Sequence, residues 1–272
     1  MLLARAGAAS WEAPPAVLVP AAVVGLLFAQ AFVRLRLRGR ADHASWWRAA
    51  LFAAALAVGL LAFVSPIDPI GEDDLLSVHM VQHVLLGDLA AALGVAALRG
   101  PLLFFFLPAP VLGPLARLGG LRRGLSLLTS RRVAGALWAA NLAVWHVPSI
   151  YDAALTRPLL HDFEHACWLL AGVLAWIVLV DPAGHRRSTV GQRLAFAAAM
   201  FAAGTVLSDV LIFSFHSLYP SYGGAYGISP VTDQRLAGVA MMAEQLLTLG
   251  TLAAILLRPR IRAARAARLA PA

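Results

Sequence analysis

The chain has 272 residues, of which 60% are hydrophobic and 13% are charged. Soluble domains carry about 25% charged residues, so this composition predicts a multi-pass membrane protein and excludes a separate soluble domain of ordinary size. The net charge of +8 comes from arginines in short loops between apolar runs, a pattern typical of membrane topology signals and not of a nucleic-acid surface. The single cysteine, Cys167, excludes internal disulfides and offers no thiolate pair to a metal.

Seven apolar runs are long enough, or nearly so, to cross the hydrocarbon core of a bilayer, which is about 30 Å thick. In chain order they cover residues 15–33, 48–65, 78–98, 133–147, 161–180, 194–214 and 234–257. The proline-rich run 101–116 is too short for a straight span and predicts a re-entrant or interfacial segment, whereas 258–272 predicts a basic cytoplasmic tail. We therefore predict an all-α fold in which residues 1–272 form a single bundle of seven transmembrane helices.

The arginines predict the orientation of this bundle. All of them except Arg5, Arg157 and Arg235 fall in alternate loops or in the C-terminal tail, and so would share one side of the membrane. The positive-inside rule places that side in the cytoplasm. We therefore expect the N-terminus outside and the C-terminus inside, with the acidic stretch "SPIDPIGEDD" (65–74) in an outer loop.

Histidines gather at the predicted outer ends of the spans. His79 and His83 open the third span, His146 ends the fourth, and His161 and His165 open the fifth. Residues four apart share one face of a helix, so each pair can offer two imidazoles to one ion. Polar groups inside a bilayer are costly and tend to mark ligands or pathways. The pattern predicts a shared metal site near the outer face.

The ligand types favour copper, with zinc as the alternative. Imidazole is a common ligand for transition metals, and His146 or His216 could complete a site formed by the two facing pairs. Met80 and Met241 could add a thioether to a copper(I) site. Imidazole and thioether without thiolate favour copper over iron–sulfur chemistry.

Three acidic residues are candidates for supporting roles. Glu164, expected at the outer rim, could orient the ring of His161. Asp209 lies seven residues before His216, is expected on the same helical face, and could orient that ring in the same way. Asp88 is expected about 7–8 Å deeper than the nearest histidine, where it could relay protons, hold a cation or pair with another span.

Four motifs in this order resemble the CtaG family of seven-span assembly factors for caa-type cytochrome c oxidase. They are "HMVQH" (79–83), "WHVPSIYDAAL" (145–155), "HDFEH" (161–165) and "GISPVTDQRLAGVAMM" (227–242), and the resemblance covers about residues 50–257. Gly87 and Asp88 depart from it, because hydrophobic residues, often methionine, are expected there.

The resemblance implies a multi-pass protein of the bacterial cytoplasmic membrane that is needed to make active oxidase. It implies copper delivery to the catalytic subunit of the oxidase, without enzymatic turnover. The residues that the motifs carry over as the metal-handling set are His79, His83, His146, His161 and His165. Asp233 and Gln234 carry over as a polar element at the outer start of the seventh span.

Two other functions fit parts of the same pattern. "HDFEH" also matches H-x-x-E-H, in which two histidines bind zinc and the glutamate activates water, and this would suit an intramembrane hydrolase. Opposed histidines on neighbouring spans can also ligate haem. Pairs four residues apart crowd one side of a helix, however, and suit a compact ion better.

Overall fold

The computed structural model describes residues 11–185 and 188–269, and within them every regular element is helical. In chain order the helices are α1 (Pro15–Leu37), α2 (Trp46–Val64), α3 (Ile67–Asp73), α4 (Leu76–Val84), α5 (Ala91–Ala97), α6 (Pro101–Phe105), α7 (Ala109–Arg117), α8 (Gly119–Leu128), α9 (Arg131–Trp145), α10 (Pro148–Leu155), α11 (Pro158–Val180), α12 (Val190–Phe213) and α13 (Pro230–Leu269). A π-helical segment, Leu85–Ala90, joins α4 to α5. Arg5, Arg186 and Arg187, which entered the orientation prediction, lie outside the described residues.

The predicted all-α membrane fold is confirmed. Six helical stretches are long and apolar enough to cross a bilayer: α1, α2, the unit Leu76–Ala97, α11, α12 and Pro230–Pro259 of α13. The seventh candidate is the pair α9 and α10, which is bent by 77°. The bend follows from Pro148, because a residue that precedes proline is driven to extended backbone and Val147 has φ −69° and ψ 119°.

The proline-rich run is divided between α6 and α7. The break falls at Pro108, which precedes α7 and cannot donate a backbone hydrogen bond. Gln30 of α1 holds the end of α6, since its side-chain amide donates to the carbonyls of Phe105 and Phe106 at 2.8 Å each. By contrast, α7 and the following α8 contain no buried residue.

Two close contacts position the histidine-bearing helices. At Gly172 of α11, a Cβ atom would collide with the carbonyl oxygen of Gly87 in the π-helical segment. The backbones of the third and fifth spans therefore touch one turn after His83 on the third span and two turns after His165 on the fifth. At the other end, α3 lies over the start of α4, and a Cβ at Gly71 would lie 3.0 Å from the backbone of His79. The acidic stretch 65–74, which was expected as a loop, is thus partly the helix α3, and α3 packs against α4 at His79.

Candidate metal centre

The structure brings the two histidine pairs together between α4 and α11. The ring centroids of His79 and His83 are 4.4 Å apart and those of His161 and His165 are 4.2 Å apart. Across the two helices, His79 lies 5.2 Å from His161, and His83 lies 5.2 Å from His165. All four side chains are buried. Their spacing of four residues places each pair on one helix face, and the Gly87–Gly172 contact brings the faces together.

Glu164 lies inside this cluster. Its side chain is 1% exposed, and its Oε1 is 3.6 Å from Nε2 of His83. Among the described residues, neither carboxylate oxygen has a hydrogen-bond partner. The expectation that Glu164 lies at the outer rim is therefore wrong, because its side chain turns inward against His83 of α4.

Two overlapping sets of side chains have the geometry to hold an ion. One consists of His79, His83 and His165, and the other of His79, His161 and Glu164. Within each set, the potential ligand atoms all lie within 4.8 Å of one another. The first set offers three imidazoles, and the second offers two imidazoles and a carboxylate. His79 belongs to both, so it lies at the centre of the cluster.

Hydrogen bonds fix the tautomer of three histidines. Nδ1 of His79 is 3.3 Å from the carbonyl oxygen of Gly71, and Nδ1 of His161 is 3.1 Å from a carboxylate oxygen of Glu72. Carbonyl and carboxylate oxygens only accept, so each Nδ1 carries a proton, and in the neutral ring, which is the form that binds a metal, each Nε2 keeps its lone pair. Metal-binding histidines need this arrangement, in which one ring nitrogen donates outward and the other faces the ion.

His146 has the same tautomer but lies beside the cluster. Its Nδ1 is 2.8 Å from the carbonyl oxygen of Leu142, and its Nε2 has no partner among the described residues. The indole of Trp168 contacts the ring of His146 edge-on and stacks on that of His83. Trp168 therefore lies between them, and His146 belongs to neither of the two ligand sets.

A group of tyrosines, not anticipated from the sequence, supports His79. The Tyr222 hydroxyl donates to the Gly71 carbonyl at 2.7 Å and lies 3.3 Å from Nδ1 of His79. The Tyr151 hydroxyl is 2.9 Å from that of Tyr222, and Tyr219 donates to the backbone carbonyl of His146 at 3.1 Å. Burial raises the pKa of Tyr219 and of Tyr222 above the usual value, so both stay protonated donors. The sequence signals that could have indicated this group are the tyrosine in "SIYDAAL" (149–155) and the tyrosines in the loop after α12.

If the cluster holds a metal ion such as copper, replacing Tyr222 by phenylalanine is expected to lower the affinity for it about 10- to 100-fold, because Nδ1 of His79 and the carbonyl of Gly71 both lose the hydroxyl that holds them in place. A titration against a chromophoric copper(I) chelator measures this change. Tyr226→Phe is the matched control, since that hydroxyl donates to Asp74 at 2.9 Å. Equal affinities for the two variants would contradict a role for Tyr222 in holding His79.

Acidic side chains connect the cluster to its rim. Glu72, whose side chain is 41% exposed, accepts a hydrogen bond from Nδ1 of His161. Asp68 accepts a hydrogen bond from the side-chain amide of Gln82. Burial and the nearby charge of Glu72 raise the pKa of Asp68 to about 6. At neutral pH the rim therefore carries negative charge that attracts cations, and this charge decreases as the pH falls through 6.

Asp233 holds the helix that carries His79 and His83. Its two carboxylate oxygens accept from the backbone N–H groups of Leu76 and Ser77 at 2.7 and 3.0 Å. These are orphan donors at the start of α4, where Leu75 offers no side-chain cap. The adjacent Gln234 accepts from the N–H of Leu218 at 2.7 Å. The polar element at the start of α13 thus anchors both α4 and the loop after α12.

The other residues suggested by the sequence lie elsewhere. Asp88 is in the π-helical segment beside Trp176 and Glu244, away from the histidines. Met80 and Met241 are buried in the large hydrophobic core. Asp209 and His216 are exposed, and α12 ends at Phe213. The helical register expected between Asp209 and His216 is therefore wrong.

Comparison with known proteins gives one match. The family model described as cytochrome c oxidase caa3 assembly factor matches residues 26–263. This range includes all the histidines of the cluster, Glu164 and Asp233. No curated protein and no solved structure matches the chain.

Proposed function

The chain belongs to the cytochrome c oxidase caa3 assembly factor family, and from this premise we propose that it binds copper between α4 and α11 and delivers it to the catalytic subunit of the oxidase. Copper is then a cargo, held at one site and released at another. The role needs no turnover. We further propose that the histidine end faces the outside of a bacterial cytoplasmic membrane, because the arginine-rich loops lie at the opposite helix ends.

The direction of the imidazole lone pairs supports this proposal most strongly. His79 and His161 donate outward through Nδ1, and the Nε2 atom of His161 has no partner among the described residues. The Nε2 atoms of His79 and His83 are 2.9 Å apart and form a hydrogen bond with each other, whereas Nε2 of His165 and Nδ1 of His83 have no partner among the described residues. Buried polar atoms normally have hydrogen-bond partners, so a group of unpartnered lone pairs in a membrane bundle fits an ion as the missing partner.

The ligand set favours copper over the alternatives. Imidazole suits copper and zinc, and a site of three imidazoles contains no hard oxygen ligand that would select magnesium or calcium. Haem fits poorly because the four rings contact one another and leave no space for a porphyrin between opposed histidines. Membership of the assembly factor family also supports copper, because the protein that would receive the metal, a cytochrome c oxidase, contains copper.

One observation keeps the zinc hydrolase as a second candidate. Glu164 is buried next to His83, so the glutamate of H-x-x-E-H could act on a metal-bound water. The hydrolase requires this carboxylate as a base. In a copper carrier, by contrast, the set of three imidazoles can hold the ion without it.

Elemental analysis of the detergent-purified protein, with Glu164→Gln beside the wild type, separates these functions. We expect copper near one ion per chain in both proteins and normal oxidase activity in cells that carry the variant. Zinc in the wild type, together with complete loss of function in Glu164→Gln, would favour the hydrolase. Absence of metal from both proteins would contradict copper binding and leave assembly by contact alone.

A further inference from the structure

A groove between α9 and α12 lies far from the histidines, at the end where both helices begin. It has a volume of about 450 Å³ and contains Arg131 and Arg132 of α9 and Gln192 of α12. Ligand pockets in proteins typically measure about 300–1,000 Å³. His146 lies at the opposite end of α9, so the groove is separate from the candidate metal centre.

Small residues create this groove. Gly135 lets the ring of Phe196 pack directly against α9 at the base of the groove, since a Cβ atom there would lie 2.8 Å from that ring. Ala139 and Ala199 line the sides and are exposed, which leaves the groove open to the outside of the bundle. Its floor includes the buried side chain of Trp138. The groove is therefore apolar along its length and opens toward the surrounding lipid.

Positive charge lies at one end of the groove. Arg131 contacts the Ser188 hydroxyl at 3.4 Å, and no described acidic side chain forms a salt bridge with Arg131 or Arg132. Neither α9 nor α12 has an acidic residue in its first turn. The positive ends of two helix dipoles therefore add to the two guanidinium groups. An anionic group is the complementary partner for this end.

We propose that the groove binds an anionic phospholipid, with its phosphate on Arg131 and Arg132 and an acyl chain along Gly135, Ala139 and Ala199. Basic pockets between transmembrane helices are known to take anionic head groups. A partner helix is a poorer occupant, because a helix about 10 Å across would fill the whole groove with about one turn. The bound lipid bridges the fourth and sixth spans at the arginine-rich end.

The proposal is tested by lipid retention. The full-length protein is assembled into nanodiscs of equimolar phosphatidylglycerol and phosphatidylcholine, extracted in mild detergent, washed and analysed by native mass spectrometry. We expect the wild type to retain phosphatidylglycerol selectively. Arg131→Gln with Arg132→Gln should weaken retention about thirtyfold, since each arginine near the head group contributes to the attraction. Ala199→Phe should abolish retention, because it fills the groove without changing the charge.

Matched variants distinguish this site from general surface charge. Arg122→Gln with Arg123→Gln removes two exposed arginines of α8, and Ala198→Phe adds a ring beside the groove but outside it. Both should retain the lipid, and every variant should keep its copper. Equal loss in the α8 variant, retention in Ala199→Phe, equal binding of phosphatidylcholine, or a retained protein in place of lipid would each overturn the proposal.

Discussion

Replacing His79 and His83 together by asparagine is expected to abolish copper binding and to prevent the formation of active oxidase. The double change removes two of the three imidazoles from one ligand set and the histidine that both sets share. Loss of a single supporting residue around a metal ligand already costs about 10- to 100-fold in affinity or activity, so loss of two ligands should leave no measurable copper. The measurements are the copper content of the purified protein and the oxidase activity of membranes.

The matched control for this pair is His43→Asn with His185→Asn. His43 lies 3.2 Å from Asp42 and His185 is exposed, both in loops at the arginine-rich end. This control should keep full copper content and normal oxidase activity. Normal oxidase activity in the His79/His83 variant, with the protein present in the membrane, would show that the cluster is not the working site.

Replacing Asp233 by alanine is expected to destabilise the protein and to weaken copper binding. The change leaves the buried N–H group of Leu76 and the partly buried N–H group of Ser77 without their partner. A buried unsatisfied donor costs about 1–3 kcal/mol, so the loss should be about 1–3 kcal/mol from Leu76, with a smaller addition from Ser77. Because the first turn of α4 then loosens, His79 and His83 should lose their orientation, and copper affinity should fall with thermal stability.

Two further variants, Asp233→Asn and Asp209→Ala, provide the comparison. Asp233→Asn keeps one accepting oxygen and should fall between wild type and alanine in both measurements. Asp209→Ala removes an exposed carboxylate and should change stability by less than about 0.5 kcal/mol. Thermal unfolding in detergent, followed by copper titration, measures both effects. Unchanged stability in Asp233→Ala would contradict its role as the cap of α4.

The sequence predicts the parts of this site that depend on local spacing. His79 with His83 and His161 with His165 share helix faces because four residues complete about one turn, and apolar runs long enough to span a bilayer define the helices that carry them. The family motifs add which residues belong together. None of these signals gives the distance between α4 and α11, which is set by the contact of Gly87 with Gly172.

The features that the sequence does not predict are tertiary. Asp233 caps a helix that begins 157 residues earlier, and no local pattern connects them. Glu164 looks like a rim residue because it lies near the start of α11, but its buried side chain lies against His83 of α4. The relation between Asp209 and His216 fails because α12 ends three residues before the histidine. In the first two cases contacts between distant segments decide the outcome, and in the third the helix ends before its period can apply.

X-ray absorption spectroscopy of the copper-loaded protein tests the proposed copper site most directly. The ligand sets predict a first coordination sphere of nitrogen and oxygen atoms, with the multiple-scattering pattern of two or three imidazoles, that disappears in the His79/His83 variant. A first coordination sphere without imidazole scattering, or an unchanged spectrum in the variant, would contradict copper binding between α4 and α11.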